Sequence, residues 1–279
     1  MSYKSIVVHL DTSERAHPRF ELALRLAKQS GAHLTGVFSV FTPPPQAFYV
    51  MAGSAEYYQD QQCLRNERRA ALERLFHAEL SRAEVPGQWL ATDEPANFAV
   101  PRLTRCADLI VASQDDPNDP EAYIDDRFLE NLIMSSGRPV LTVPYAGSFA
   151  SSSGHVMIAW DGSREAARAV HDALPLMRQA KKTTVVTVNE GQGEPAASRI
   201  PGSEIAAVVA RHGIHIELLD TVTASRESTG DTLLSQAADL GADLIVMGAY
   251  GHARWHERVM GGATRTMLRS MTVPVLMSH

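Results

Sequence analysis

Cysteine is scarce in this 279-residue chain, with only Cys63 and Cys106, and the two show no CxxC or zinc-ligand spacing. That excludes a disulfide framework and makes a reduced, cytoplasmic setting the expectation, with both thiols packed as small apolar groups. Positive charge is also short: 26 Lys and Arg against 32 Asp and Glu leave a net charge of −6. Nucleic-acid binding needs a basic face to displace counterions, so no nucleic-acid partner is expected. No apolar run approaches the length that crosses a bilayer, which removes a membrane role. The opening MSYKSIVVHLD enters a strand-like run at once and leaves no space for a signal peptide. There is no GxSxG elbow, so no catalytic triad is indicated, and Ser163 reads as a helix cap. What remains is a hydrophobic content of 44% with 21% charged residues, enough for a proper core and a length suited to two domains.

The chain repeats itself. SIVVHLDTSERA (5–16) matches HVMIAWDGSREA (155–166) at an offset of 150, and the register runs on to SGAHLTGVFSV (30–40) and AKKTTVVTVNE (180–190). At an offset of 135, DLIVASQDD (108–116) matches DLIVMGAYG (243–251), and RPVLTVP (138–144) matches VPVLMSH (273–279). Short apolar runs alternate with helical patterns in both copies, which implies βαβ crossovers and buried parallel strands. The expected fold is α/β, two tandem doubly wound parallel five-stranded sheets with helices on both faces. Residues 1–146 form the first domain, the Ser/Gly-rich stretch 147–154 the linker, and residues 155–279 the second domain. The first copy adds FTPPPQAFYVMAGSAEYYQD (41–60), long enough for a lid or partner surface. An amphipathic helix over 61–83 follows, with Leu64, Leu72, Leu75, Phe76 and Leu80 as its apolar stripe.

The second copy carries GAYGHARWHERVMGG (248–262), four glycines between a strand and a helix. Ligands of doubly wound sheets sit beyond the C-terminal strand ends, and a helix start offers unpaired N–H groups to an anion. Glycines there let the backbone approach phosphate oxygens, although the spacing fits neither a P-loop nor GxGxxG, and a flexible turn remains the alternative. His252 and His256 are spaced i,i+4 around Trp255, but no third ligand stands nearby and no metal site is expected. Arg254 and Arg258 read equally as phosphate contacts or surface charge.

The pattern G-x2-G, nine residues, then G, at Gly248, Gly251 and Gly261, resembles that of the universal stress protein family. The resemblance covers both halves and implies a tandem member of that family. It implies ATP or AMP, with Mg2+ as companion ion, in the second half, and a role in stress response or regulation with at most slow ATP hydrolysis. It further implies adenine contacts from Asp161 and, within about one residue, Val188, and phosphate contacts from the glycine loop. His252 would face the ribose or phosphate region, or solvent. Asp161 has a second reading, as the cap of the helix that follows it. The family motif continues with Ser or Thr where this chain has Gly262, so a hydroxyl is lost and affinity is expected to drop about ten- to a hundredfold. Thr264 could replace it if its side chain turned toward the site. The family's usual homodimer implies an internal pseudo-dimer through the closing strands VLTV and VLMS, and a homodimer of the whole chain is a further expectation.

The first copy has lost this loop. Ser113, Asp116, Asp126 and Arg127 stand where the second has Gly248, Gly251, Gly261 and Gly262. Window 113–129 holds Asp115, Asp116, Asp119, Glu121, Asp125 and Asp126 against Arg127, net −5; window 248–264 holds Arg254 and Arg258 against Glu257, net +1. Carboxylates at contact range repel polyphosphate, so the first half is expected to bind none. Two rival readings stay open: a nucleotide-independent interaction or scaffold protein working through 41–60 and 113–126, or a binder of another small molecule.

Overall fold

The computed structural model describes residues 2–39, 55–116, 119, 127–149, 154–189, 200–223, 228–251 and 262–279. They fall into two compact units, residues 3–136 and residues 137–279. The first unit runs β1 (Ser5–Leu10), α1 (Ala16–Ser30), β2 (His33–Phe38), α2 (Ala55–Ala83), β3 (Gly87–Ala91), α3 (Ala96–Leu103), β4 (Leu109–Ser113) and α4 (Phe128–Ser136). Its strands lie in the order β3-β2-β1-β4, all parallel.

The second unit opens on β5 (Val140–Val143) and continues β6 (His155–Trp160), α5 (Arg164–Met177), β7 (Lys182–Asn189), α6 (Gly202–Arg211) and β8 (Ile216–Val222). It closes with α7 (Thr229–Leu240), β9 (Leu244–Gly248), α8 (Gly262–Ser270) and β10 (Val275–Ser278). Its order is β5-β10-β9-β6-β7-β8, parallel except that β5 runs antiparallel to β10, with Leu141 opposite Leu276. Each half of the sequence thus contributes five strands. The last strand of the first half, which the repeat places within 1–146, is grouped with the second unit.

Strands β4 and β6 are buried at every residue, the mark of a parallel strand covered on both faces by crossover helices. The sequence offsets reappear in the register: Ile6 lies opposite Leu109 in one unit and Val156 opposite Leu244 in the other. The repeated DLIV aspartates do the same work twice. Asp108 accepts the N–H groups of Lys4 and Ser5, and Asp243 accepts that of His155, so each fastens the entry of the neighbouring strand. Local signals set the helix starts: Ser163 caps α5 by accepting the Ala166 N–H at 3.1 Å, and Ser228 with Asp231 forms a capping box on α7.

The first core is aromatic, with Phe20, Phe76, Trp89 and Phe38 in a continuous series of ring contacts 5.2–5.9 Å apart. Two expectations fail here. Cys63 and Cys106 are both exposed rather than packed inside: Cys63 lies on the early part of α2, and Cys106 in the turn between α3 and β4. Leu64 is also exposed, although Phe76 and Leu80 further along α2 are buried. The helix is 29 residues long, against 10 for α6. Its early part is mostly exposed and lies outside the core packing. Of the 41–60 insertion, residues 41–54 lie outside the described residues.

Candidate functional site

In the second unit the strand order turns back between β6 and β9, and the C-terminal ends of these two strands are the place where this architecture forms its ligand crevice. The sequence candidates gather there. Asp161 directly follows Trp160, whose strand partner is Thr187, and Val188 directly follows Thr187; the two therefore stand side by side at the strand ends. Gly248 ends β9, and Gly262 and Thr264 lie in the first turn of α8. His252 and Gly261 lie outside the described residues.

The glycines meet α5 closely. A Cβ on Gly248 would run into the Ala166 backbone nitrogen and would come within 2.7 Å of the Glu165 carbonyl carbon. One on Gly251 would stand 2.9 Å from Glu165 Oε2 and 3.2 Å from Ser163 Oγ. Glycine at position 248 is therefore demanded by the approach of a helix start, whatever a ligand requires, whereas at position 251 the closest atom is the far end of the Glu165 side chain. Between them Tyr250 is held at φ 60°, a costly conformation for a bulky residue. The Tyr250 N–H donates to the Thr264 hydroxyl at 3.3 Å, and Thr264 is buried. That side chain joins the exit of β9 to the start of α8. Gly262 differs from the other two: among the described residues no atom lies within 4 Å of where its Cβ would be.

Asp161 is exposed, and its Oδ1 accepts the Ser163 N–H at 2.9 Å, which shapes the turn before α5; the cap of the helix itself is Ser163, not Asp161. Sequence reasoning missed Glu165. Its side chain is buried beside Gly251, and its Oε1 is ion-paired to the exposed Arg164. A signal existed, since Glu165 falls on the buried stripe of α5 with Ala169 and Ala173, where an apolar residue is the norm.

The equivalent place in the first unit is filled from within. Asp11, the counterpart of Asp161, is 2% exposed and forms a 3.0 Å ion pair with Arg19, which is 1% exposed. Ser13 donates to Asp11 through its N–H and its hydroxyl. Burial alone would raise the Asp11 pKa, but Arg19, His9 and Ser13 together hold it below the usual carboxylate range. His9 is fully buried and its pKa falls to about 4, chiefly from burial, with its Nε2 donating to the Ser39 carbonyl at 2.9 Å. Asp119, from the acidic loop, accepts the Glu14 N–H at 3.1 Å. At an offset of 150, His9 and Arg19 become Ala159 and Ala169, so the second unit has neither the buried base nor the buried cation. Its aspartate is left facing out.

Among the described residues no group of three or more His, Cys, Asp and Glu could hold a metal ion, and no helix is long and apolar enough to cross a membrane. Residues 153–279 match the sequence profile of the Universal stress protein family. A universal stress protein of Synechocystis is 28% identical over 156 residues, 53% of this chain and 49% of the relative, so the match spans about half that relative's length. The structure of a universal stress protein from Archaeoglobus fulgidus aligns over 98% of this chain and 96% of its own, with 16% identity and a TM-score of 0.70; the likeness is one of fold, over both halves. A single-domain universal stress protein solved in complex with cAMP aligns with 46% of this chain and 99% of its own, at 23% identity and a TM-score of 0.36.

Proposed function

The chain belongs to the universal stress protein family, and from that premise we propose that its second half binds one adenine nucleotide, ATP with Mg2+, while its first half binds none. The observation that carries this reading is the contrast between two equivalent aspartates. Asp161 stands exposed at the mouth of the crevice, beside the end of β7, whereas Asp11 is locked into a buried pair with Arg19. The residues present suit a nucleotide. Asp161 and the backbone at Val188 would receive the adenine, and the start of α8, open at Gly262, would receive phosphate oxygens on its first N–H groups. Mg2+ would neutralise part of the polyphosphate charge. Binding of this kind makes the protein a ligand-responsive regulator in stress response.

Glu165 favours a second reading, AMP in place of ATP. A buried carboxylate 2.9 Å from the Cβ position of Gly251 repels additional phosphates more than it repels one.

Calorimetric titration of nucleotide-stripped protein tests both. A stoichiometry near one per chain with Mg-ATP supports the proposal, and tighter binding of AMP supports the second reading. A stoichiometry near two would overturn the asymmetry between the halves, and no heat with either nucleotide would overturn the site. Gly251→Asp, the residue of the first copy, should weaken ATP binding by more than tenfold. Because its side chain also meets Glu165, the variant is to be compared in a Glu165→Gln background.

A further inference from the structure

We propose that Trp160 is a positioning residue of the second unit: it holds Ile200 next to the turn at Asp161, and the half-exposed Ile200 side chain is the wall against which the base of the ligand lies. The proposal rests on the nucleotide reading above and adds to it how the base is seated.

The arrangement begins in the sheet. Trp160, Thr187 and Asp220 form one row across β6, β7 and β8, and parallel partners present their side chains to the same face. The start of α6 lies over this row: a Cβ on Gly202 would stand 2.9 Å from Thr187 Cγ2 and 3.4 Å from Val185 Cγ1. Thr187 is itself held, since its hydroxyl donates to the Asp220 carboxylate. Trp160 is buried, and its Nε1–H donates to the Ile200 carbonyl at 2.9 Å. A buried indole N–H needs an acceptor, and this one finds it on the backbone two residues before α6.

A second contact fixes the same residue from the loop side. Gly162 sits at φ 78°, and a Cβ there would be 3.1 Å from the Ile200 nitrogen and 3.7 Å from the Ile200 Cβ. The chain at Ile200 therefore passes close to the turn that follows Asp161, an approach that glycine allows. Although its backbone is held from both sides, the Ile200 side chain remains 48% exposed. That makes it a pre-formed apolar surface, and the Asp161 carboxylate beside Gly162 is an acceptor at its edge. A flat, nitrogen-rich ring with an amino group suits the pair, with the ring on Ile200 and the N–H donor at Asp161. The first unit lacks both anchors: at an offset of 150, Trp160 becomes Leu10 and Gly162 becomes Thr12. A base wall in one unit agrees with one ligand per chain.

The test titrates the full chain with adenosine, which has the base and no phosphate, with inorganic triphosphate and with Mg-ATP. Calorimetric affinity and the indole N–H signal of Trp160, assigned by its loss in Trp160→Phe, are the two readouts. Adenosine and ATP should both shift that signal, and triphosphate should not. Trp160→Phe keeps an aromatic residue but removes the N–H, and should weaken adenosine and ATP by about three- to tenfold while leaving triphosphate unchanged. Ile200→Asn should weaken both by about tenfold. Because Trp160 acts through Ile200, the double variant should bind no more weakly than Ile200→Asn alone. Val222→Ser, at an exposed apolar position of β8, should change nothing. ATP binding that leaves the indole signal still, a shift that triphosphate reproduces, or affinity that survives Ile200→Asn overturns this proposal and leaves the nucleotide reading standing. Additive losses in the double variant overturn it too, since Trp160 would then be a general support of the fold. An adenosine shift at Trp160 without affinity for ATP sinks the nucleotide reading and keeps the base wall. No response to adenosine or ATP overturns both.

Discussion

The backbone N–H of Tyr250 donates to the hydroxyl of Thr264 across fourteen residues, and this bond ties the strained exit of β9 to the first turn of α8. Thr264 is the candidate substitute for the phosphate donor lost at Gly262. Its oxygen accepts from Tyr250, and its O–H is left to donate. Replacing it by the near-isosteric Val takes this acceptor from the part-buried Tyr250 N–H, at a cost of about 1–3 kcal/mol. Thr264→Val should therefore lower the melting temperature by several degrees and weaken ATP binding, because both ends of the glycine loop lose their tie. Thr264→Ser should preserve both. Calorimetry and thermal melts on the two variants check this.

Gly262 gives the opposite expectation. Among the described residues no atom crowds its missing Cβ, so Gly262→Ser meets none of them and restores the hydroxyl that the family motif carries. A donor to a charged oxygen contributes about 1.5–3 kcal/mol, so ATP affinity should rise by about tenfold or more with little loss of stability. Unaltered affinity would mean that the ligand does not touch the start of α8.

The fold was legible because the strands are short, apolar and repeated, and because DLIV recurs beside the first strand of each copy. That the candidate residues gather at one set of strand ends was legible from the strand order that such a repeat implies. The reason for the glycines was only half legible. Gly248 and Gly251 face the backbone and side chains of α5, an approach that no local pattern encodes. Repeat alignment places Val140–Val143 with the first copy, while the compact units group it with β10. The filled site of the first unit was missed because Arg19 lies on the apolar stripe of α1 and was read as part of a helical pattern.

That Arg19–Asp11 pair predicts a strong non-additivity. Arg19→Met strands a buried carboxylate and should cost roughly 3–5 kcal/mol. Adding Asp11→Asn removes the charge, and the double variant should recover much of the loss. Urea denaturation of both single variants and the double one measures the coupling, and additive effects would show that the pair is solvated in solution.

His9 makes the first unit acid-sensitive, and the sign follows from its lowered pKa. The imidazole is neutral when folded, with a pKa of about 4, and has its ordinary value of 6.5 when unfolded. Above pH 6.5 neither state is protonated at His9 and it costs nothing. Between 6.5 and 4 the unfolded chain takes up a proton that the folded chain refuses, so stability falls as the pH falls, by roughly 3 kcal/mol across that window. Asp11, held below its ordinary carboxylate range, acts in the same direction at lower pH: its stabilisation is present above the unfolded pKa and is lost as the pH falls through the folded one. Denaturant midpoints measured from pH 7.5 to 4.5 should decline steadily in the wild type. In His9→Leu the decline between 6.5 and 5 should flatten, since the proton acceptor of the unfolded state is gone. An equal decline in the variant would place the titrating group elsewhere.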